Sequence, residues 1–376
     1  QAEDGIRDRS PSRGLGDVYK RQDIHIGHAV GLRKLRQLQE LGHKVVLIVG
    51  DWTAQIGDPS GRSQTRTMLS ADEVNANAQT YLDQFFKIVD RDRTEIRLQS
   101  EWFGPFTLAN VIELTSKFTV AQILARDDFS KRYNANHPIA ITELLYPLLQ
   151  AYDSVAIESD VEFGGSDQRF NLLVGRELQQ SEGLTPQQCF IMPLLPGTDG
   201  IQKMSKSLDN YIGIEEPPND IYGKVMSIPD TLIVPYFEWL TDVPTSELNE
   251  IKSELDGGSG SAMDLKKRVA GIIVEEYHDT DSASSARQFF ERTVQGGEVP
   301  DEIPIYALPP EVLTTTLRLS NILQENGMTS SAGEARRLID QGAVRLDDKT
   351  ITHNISVSEL KPGVLRVGRR RYLRLV

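Results

Sequence analysis

"VYKRQDIHIGHAV", residues 18–30, is the stretch on which the reading of this chain turns. His25-Ile26-Gly27-His28 runs into "GLRKLRQLQEL", Gly31 to Leu41, whose apolar residues recur at helical spacing and which Gly42 stops. Histidines in the first turn of a helix sit beside unpaired N–H groups and the positive end of the dipole, where a polyphosphate is naturally held. Gly27 between them permits the close approach of an adenine ring or a ribose. The blander alternative is a pair of polar helix-capping histidines. A site of this kind is expected where a buried strand hands over to a helix, yet the residues before Asp23 are polar, charged and rich in Gly and Arg, with no apolar run.

Those first residues have a different reading. Asp17 to Gln22, read back into codons, is GATGTGTATAAGAGACAG, and Gln1 to Asp8 is CAAGCAGAAGACGGCATACGAGAT. Both resemble adapter oligonucleotides of short-read sequencing libraries. Residues 1–22 are therefore expected to be non-native, with the natural chain beginning no later than Asp23 and its own N-terminus lost.

Downstream, "KVVLIVG" (Lys44 to Gly50) is a continuous apolar run of the kind buried on both faces of a parallel sheet. It leads into "DWTAQIGDPSGRSQTR" (Asp51 to Arg66), a loop rich in Gly, Asp, Pro and Ser, placed where ligands bind in open α/β sheets. An amphipathic helix is expected over 71–90, a short strand at Glu95 to Ser100, and mainly helix over 105–153. "SDVEFGGSDQ" (Ser159 to Gln168) reads as a strand ending in a second Gly and Asp loop, followed by a helix through "RFNLLVGREL". "CFIMPLL" (Cys189 to Leu195) is a further strand. After Tyr211 the pattern is helical, with Pro217, Pro218, Pro229 and Pro235 expected to mark turns. Helix alternating with buried strand is an α/β pattern.

At 376 residues the chain holds two or three domains and buries a large core without metal or disulfide staples. Its net charge of −13 argues against a general nucleic-acid coat, but the charge is uneven. Residues 331–376 carry ten Lys and Arg against five Asp and Glu, a net +5, which leaves −18 on the first 330. A small basic tail on an acidic body suggests a dedicated nucleic-acid-binding unit. Cys189 is the only cysteine, so there is no disulfide framework and no cysteine metal cluster, as suits a reducing cytosol. No run is long enough to span a bilayer.

Lys203-Met-Ser-Lys206-Ser207, just after the last strand of the α/β region, is the second chemical element. Two lysines flanked by Ser and Gly are often a solvated loop. They also suit a mobile loop that delivers two ammonium groups to a triphosphate, where charge develops as pyrophosphate leaves. The two motifs occurring together in this order favour the second reading. A third element is "YPLLQAYD", which sets Tyr146, Gln150 and Asp153 at i, i+4 and i+7 on one helix face. Tyr146 alone could be core, but Gln150 and Asp153 need polar partners if buried.

Taken in order, "DIHIGH", "IGDPSGRS", "YPLLQAYD", "GGSDQ" and "KMSKS" resemble the class I aminoacyl-tRNA synthetases, and within that class the bacterial tyrosyl-tRNA synthetases. The resemblance spans Asp23 to Val376. It implies a Rossmann-type α/β catalytic domain over 23–215, an α-helical domain over 216–297, a Pro-rich linker over 298–316 and a small α+β S4-like RNA-binding domain over 317–376. The implied substrates are Mg-ATP, so that Mg2+ comes with the nucleotide and no tightly bound cofactor is needed, together with L-tyrosine and tRNA(Tyr).

The same resemblance assigns roles residue by residue. His25, His28, Lys203 and Lys206 would stabilise charge in the transition state. Gly27, Gly165 and Asp167 would meet the nucleotide, and Arg62 and Arg66 match positions near the pyrophosphate. Asp153 would accept a hydrogen bond from the substrate phenol, and Tyr146, Gln150 and Asp58 would hold the α-ammonium group, with Thr53 and Gln168 completing the pocket. In the tail, "SAGEARRLIDQGAVRLDD" resembles the RNA-facing helix and loop of S4 domains, with Arg336, Arg337 and Arg345 as phosphate contacts. A homodimer is implied, its interface around residues 105–150, and neither membrane nor DNA is an expected partner. Two alternatives stay open. One is a tryptophanyl-tRNA synthetase, which shares the fold and both motifs; the other is a catalytically silent RNA-binding protein, because the strand before the first motif is missing.

Overall fold

The computed structural model describes residues 24–57, 80–257, 260–296, 298–299, 303–308, 317–329, 331–347, 349–368 and 371–376. Residues 1–22, expected to be non-native, lie outside them, as do 58–79 with Asp58, Arg62, Arg66 and the start of the helix expected over 71–90. The chain divides into two compact units. One comprises residues up to Glu216 with Ser227–Val269, and the other Pro217–Met226 with Ala270–Val376.

In the first unit, helix α1 (Ile26–Glu40) buries Ile26, Ala29, Val30 and Arg33, the i, i+3, i+4, i+7 stripe of an amphipathic helix. Strand β1 (Val45–Val49) pairs in parallel with β2 (Thr94–Leu98), Val45 opposite Thr94 and Val49 opposite Leu98. Between them a single helical turn, α2 (Thr53–Ile56), interrupts what reads in sequence as loop. Short α3 (Ser100–Phe103) follows β2, and α4 (Leu108–Ser116), α5 (Val120–Leu124) and α6 (Asp127–Asn134) lead to the long α7 (Ile141–Ala156).

Strand β3 (Val161–Gly165) follows, then a 3-10 turn at Ser166–Gln168, α8 (Arg169–Ser181) and β4 (Gln188–Met192). β3 and β4 are parallel, Val161 opposite Gln188 and Gly165 opposite Met192. Among the described residues the parallel sheet is thus in two pairs, and α1 packs against β1 of one and β3 of the other. This alters the expectation for "KVVLIVG". Only Val45 of β1 is buried, and Val46 to Val49 are partly exposed, because the second edge of β1 carries no described strand.

α7 and α8 pack along their length over a core of Leu148, Ala151, Val174 and Leu178, joined by Phe129, Leu114 and Ile123. Pro147 lies inside α7, where it removes one backbone hydrogen bond without ending the helix. Arg132 and Glu143, both nearly inaccessible, tie α6 to α7 with contacts of 2.5 and 3.0 Å. Breaking such a buried pair by removing one partner costs about 3–5 kcal/mol, since the other charge is left uncompensated.

In the second unit, α9 (Pro218–Met226) packs on a later helix. In the first, α10 (Ile233–Leu240) lies on α1 and carries Pro235. Sequence pattern places a turn at Pro235, but the residue sits in the first helical turn, whose N–H groups have no intrahelical partner to lose. α11 (Thr245–Asp256) and α12 (Ala262–Tyr277) continue the chain. α13 (Thr280–Phe290), the helix that α9 packs on, is capped by Asp279, whose side chain accepts from Ser282 N at 2.6 Å.

The rest of the second unit is a five-stranded sheet with two helices. Its strands are β5 (Ile305–Tyr306), β6 (Val344–Leu346), β7 (Lys349–Ile351), β8 (Gly363–Val367) and β9 (Arg371–Leu375), in the order β5-β9-β8-β6-β7. Helices α14 (Leu319–Glu325) and α15 (Ala332–Asp340) bury Leu319, Ile322, Leu323, Ala335 and Ile339 on Val344, Leu365 and Leu373. β5 falls in the stretch that reads as linker. Ile305 and Tyr306 pair in parallel with Arg374 and Leu375, and Leu308 N donates to Val376 O at 2.8 Å. No helix among the described residues is long and apolar enough to cross a membrane.

Candidate active site

The two motifs meet because the chain on either side of them pairs. Ile26 N donates to Ile212 O at 2.9 Å and Ile214 N to Ile24 O at 3.0 Å, with all four isoleucines fully buried. This short antiparallel contact sets the start of α1 against the segment that follows Lys203–Ser207. The motif loop is itself pinned. Asn210, 3 % exposed, donates to Asp199 Oδ2 (2.7 Å) and Lys203 O (3.2 Å) and accepts from Ser205 N (2.8 Å).

A cavity of about 460 Å³ opens between these segments, lined by His25, Gly27, His28, Gly165, Asp167, Gln168, Lys203 and Met204 among others. The imidazoles of His25 and His28 stack with centroids 3.7 Å apart. His28 Nδ1 also accepts from His25 N at 3.3 Å, so the capping role and a place in the cavity coexist. A Cβ on Gly27 would come within 3.0 Å of the His25 ring and 3.3 Å of Met204 Cβ, so glycine here makes room for the histidine itself. Gly165 is equally confined: a Cβ would meet Leu194 at 2.7 Å and Asp167 Oδ1 at 2.8 Å.

Charge in this part of the site comes from lysine. Lys203 Nζ is 2.7 Å from Asp167 Oδ2. Lys206 lies close enough to both histidines to act on them, with Nζ 5.8 Å from the centre of the Tyr211 ring. Burial, then the neighbouring His28 and Lys206, hold His25 down at about 2. His28 keeps one side open to solvent; the protein around it, and then Lys206, bring it to about 4. Both rings are neutral at neutral pH and free of a charge that would compete with the lysines.

The helix face predicted from "YPLLQAYD" forms as α7, with Tyr146, Gln150 and Asp153 along it. Asp153 is 7 % exposed, and burial lifts its carboxyl to about 8 against two hydrogen bonds that lower it. Those bonds come from Gln99 Nε2 (2.6 Å) and Trp102 Nε1 (3.1 Å). Gln99 Oε1 accepts from Thr53 N (2.9 Å) and Thr53 Oγ1 (3.0 Å), which joins α2 to the same network. Gln150 and Gln168 meet through Asn171, whose Nδ2 donates to Gln150 Oε1 (3.1 Å) and Gln168 Oε1 (2.9 Å). A buried carboxyl with fixed neutral donors, beside amides on one helix face, suits a small ligand with a hydroxyl at one end and an ammonium at the other.

Comparison with known proteins agrees with this geometry. The family model described as tRNA synthetases class I (W and Y) matches residues 22–295, and the S4 domain model matches 317–357. The first covers tryptophan and tyrosine enzymes alike, and relatives decide between them. The chain is 55 % identical to the tyrosine–tRNA ligase of Dehalococcoides mccartyi strain CBDB1, over 94 % of this chain and 88 % of that one. It is 47 % identical to the tyrosine–tRNA ligase of Thermotoga maritima, over 100 % and 94 %. The chain belongs to the tyrosyl-tRNA synthetase family. The fold agrees as well: the tyrosyl-tRNA synthetase of Archaeoglobus fulgidus, solved with L-tyrosine, matches at a TM-score of 0.58 and 23 % identity over 71 % of this chain and 87 % of that one.

Of the residues singled out by resemblance to this synthetase family, His25, Gly27, His28, Gly165, Asp167, Gln168 and Lys203 border one cavity, and Lys206 lies beside its histidines. Thr53 and Asp153 share the Gln99 bridge, and Gln150 joins Gln168 through Asn171. Asp58, Arg62 and Arg66 lie outside the described residues. Arg336, Arg337 and Arg345 are exposed on α15 and β6, and none has an ion-pair partner among the described residues. Sequence reading passed over Gln99, Trp102, Asn171, Glu162 and Asn210. The one signal for the first was its place directly after β2, at the carboxyl end of a parallel strand.

Proposed function

We propose that Asp153 receives the phenol of tyrosine, with Gln150, Tyr146 and Asp58 toward its ammonium and Thr53 and Gln168 closing the pocket, while the cavity between the two motifs takes Mg-ATP. The chain is a tyrosine–tRNA ligase: it activates tyrosine with ATP and transfers it to the 3′ end of tRNA(Tyr). A tyrosine carboxylate oxygen attacks the α-phosphorus in line, the bond to the β-phosphate bridging oxygen breaks, and pyrophosphate leaves with the electron pair. A hydroxyl of the terminal ribose of tRNA then attacks the carbonyl of tyrosyl-adenylate and AMP leaves. No side-chain nucleophile is required. Catalysis comes from positioning and from Lys203 and Lys206, with the neutral imidazoles of His25 and His28 as hydrogen-bond donors to phosphate oxygens and Arg62 and Arg66 toward the pyrophosphate. Gly165 and Asp167 meet the ribose.

The observation that carries this reading is Asp153, a buried carboxyl with two neutral donors and, among the described residues, no cation paired with it. Phenylalanine would leave it without its ligand's hydroxyl, and a buried polar group left unpaired costs about 1–3 kcal/mol. In the tail, Arg336, Arg337 and Arg345 would hold tRNA phosphates. A second copy would cover Leu108 (75 % exposed), Ile112 (60 %), Val120 (64 %) and Ile141 (79 %), which lie on α4, α5 and the start of α7 and support a homodimer. The enzyme would work in the cytoplasm. Tyrosine-dependent ATP–pyrophosphate exchange, run beside phenylalanine and tryptophan, tests the core of it: exchange with tyrosine alone is expected. Exchange with tryptophan would overturn the pocket assignment, and silence with all three would favour a chain that binds RNA without catalysis.

A further inference from the structure

We propose that Asn171 is a positioning residue that fixes which way the amides of Gln150 and Gln168 face, and that Arg126 and Glu162 anchor it from two ends. The proposal rests on the tyrosine-site reading above. Arg126, 5 % exposed, is held by Asp128 through two contacts of 2.6 and 2.7 Å and lies 4.0 Å above the Phe129 ring. Its Nη1 points at Asn171 Oδ1, 3.3 Å away. A guanidinium only donates, so the oxygen of Asn171 must face it and the amide nitrogen must face the other way. That nitrogen has two hydrogens, and both are used, one on Gln150 Oε1 and one on Gln168 Oε1.

The far end is fixed by an acceptor. Glu162 Oε1 takes a hydrogen bond from Gln150 Nε2 at 3.3 Å, while its Oε2 accepts from Ser154 (2.9 Å) and Gln187 (2.5 Å). A carboxylate only accepts, so Gln150 is oriented from both sides. With its oxygen turned to Asn171, Gln150 keeps a second lone pair for an ammonium, and Gln168 has its amide nitrogen turned away from Asn171. An amide is nearly symmetric in shape, so nothing but this polarity distinguishes the productive orientation from its flip. Asn171 is 1 % exposed, and no motif marks it.

The test is Asn171→Asp, which keeps the volume and an acceptor for Arg126 but cannot donate to either glutamine. The added negative charge would by itself tighten an ammonium ligand, so a loss reports orientation. Dissociation constants for tyrosine and, separately, for Mg-ATP are measured by equilibrium dialysis, beside Gln150→Ala and a packing control, Phe129→Leu, with melting temperatures for all. Expected is about a tenfold loss of tyrosine affinity in the Asn171 and Gln150 variants, Mg-ATP within about twofold, and native tyrosine affinity in the control. Glu162→Gln, which can present either a donor or an acceptor, should weaken tyrosine but leave 3-(4-hydroxyphenyl)propionate, which lacks the ammonium, within about twofold. Native tyrosine affinity in Asn171→Asp with a loss in Gln150→Ala would overturn the positioning role and leave the pocket standing. No loss in Gln150→Ala would overturn the pocket and the positioning role with it. Losses in Asn171→Asp and Phe129→Leu that simply follow their melting temperatures would make Asn171 structural only.

Discussion

Asp153 and Lys203 belong to the same unit yet live under different rules. The carboxyl is 7 % exposed, faces two neutral donors, and is raised to about 8 by burial. The ammonium is 46 % exposed and has a carboxylate, Asp167, at 2.7 Å. Around Asp153 every group is locked by another: Thr53 to Gln99, Gln99 to Asp153, Asn171 to Gln150 and Gln168. Around Lys203 the backbone is pinned by Asn210, and the long side chain is the part left to move. A region that selects a ligand needs groups unable to adapt to the wrong one. A region that stabilises a passing charge needs cations that can follow it.

The contrast breaks first at the lysines if it is false. Lys206→Ala should lower the rate of tyrosyl-adenylate formation by about 10²–10³-fold while tyrosine affinity stays native, measured by rapid quench and equilibrium dialysis. A rate effect matched by an equal loss of tyrosine affinity would remove the division of labour.

Asp153→Asn comes next. It should reduce the preference for tyrosine over phenylalanine on the order of a hundredfold, read as the ratio of kcat/KM values in pyrophosphate exchange. It also has a signature in stability. The folded chain holds the Asp153 proton up to about pH 8, whereas the unfolded chain gives it up near 3.8. The folded state therefore binds more protons across that window, and the wild type loses stability as pH rises through it, levelling off above 8. Removing the titrating group abolishes that loss, so the melting temperature of Asp153→Asn relative to wild type should climb from pH 5 to pH 8. A constant difference would mean the carboxyl is not desolvated.

A smaller effect is expected at Gln99. Gln99→Met removes one of the two donors to Asp153 and the bridge to Thr53, and should weaken tyrosine about tenfold with Mg-ATP unaffected, by the same dialysis assay. The smallest effect sharpens the charged side. His25 and His28 are held at about 2 and 4, so protonation of neither should shape kcat/KM between pH 6 and 8. An inflection near 6.5 that disappears in His28→Asn would show an imidazole titrating freely.

What the sequence disclosed follows the same division. The charged side was legible because its chemistry sits in short contiguous motifs, "HIGH", "GGSDQ" and "KMSKS", and the helix face Tyr146–Asp153 because a period of 3.6 is visible in one segment. Gln99 and Trp102 were not, since each is a single polar residue that reaches Asp153 across 54 and 51 positions; nor were Asn171 and Glu162, whose anchoring contacts run to Arg126, 45 positions away, and Gln150, 12 away. Polar residues at such distances carry no local pattern. The strands were found but the burial of β1 was overestimated, because burial depends on neighbours on both edges and composition reports none of them. Pro235 and Ile305–Tyr306 were misread for a related reason. Proline at a helix start and a two-residue strand in a Pro-rich stretch look like turn and linker until their hydrogen bonds are known.

Helix α7 puts Gln150 and Asp153 on one rigid rod, three residues apart. At about 1.5 Å and 100° per residue it would work, in the proposed pocket, as a graduated rule for the length of the amino acid, with marks set by the backbone and not by side-chain adjustment. A single residue inserted between them would slide the second mark and swing it off the pocket face together. With the phenol on Asp153 as proposed, the spacing along α7 would be as much a part of the amino-acid specificity as the identity of the residues on it.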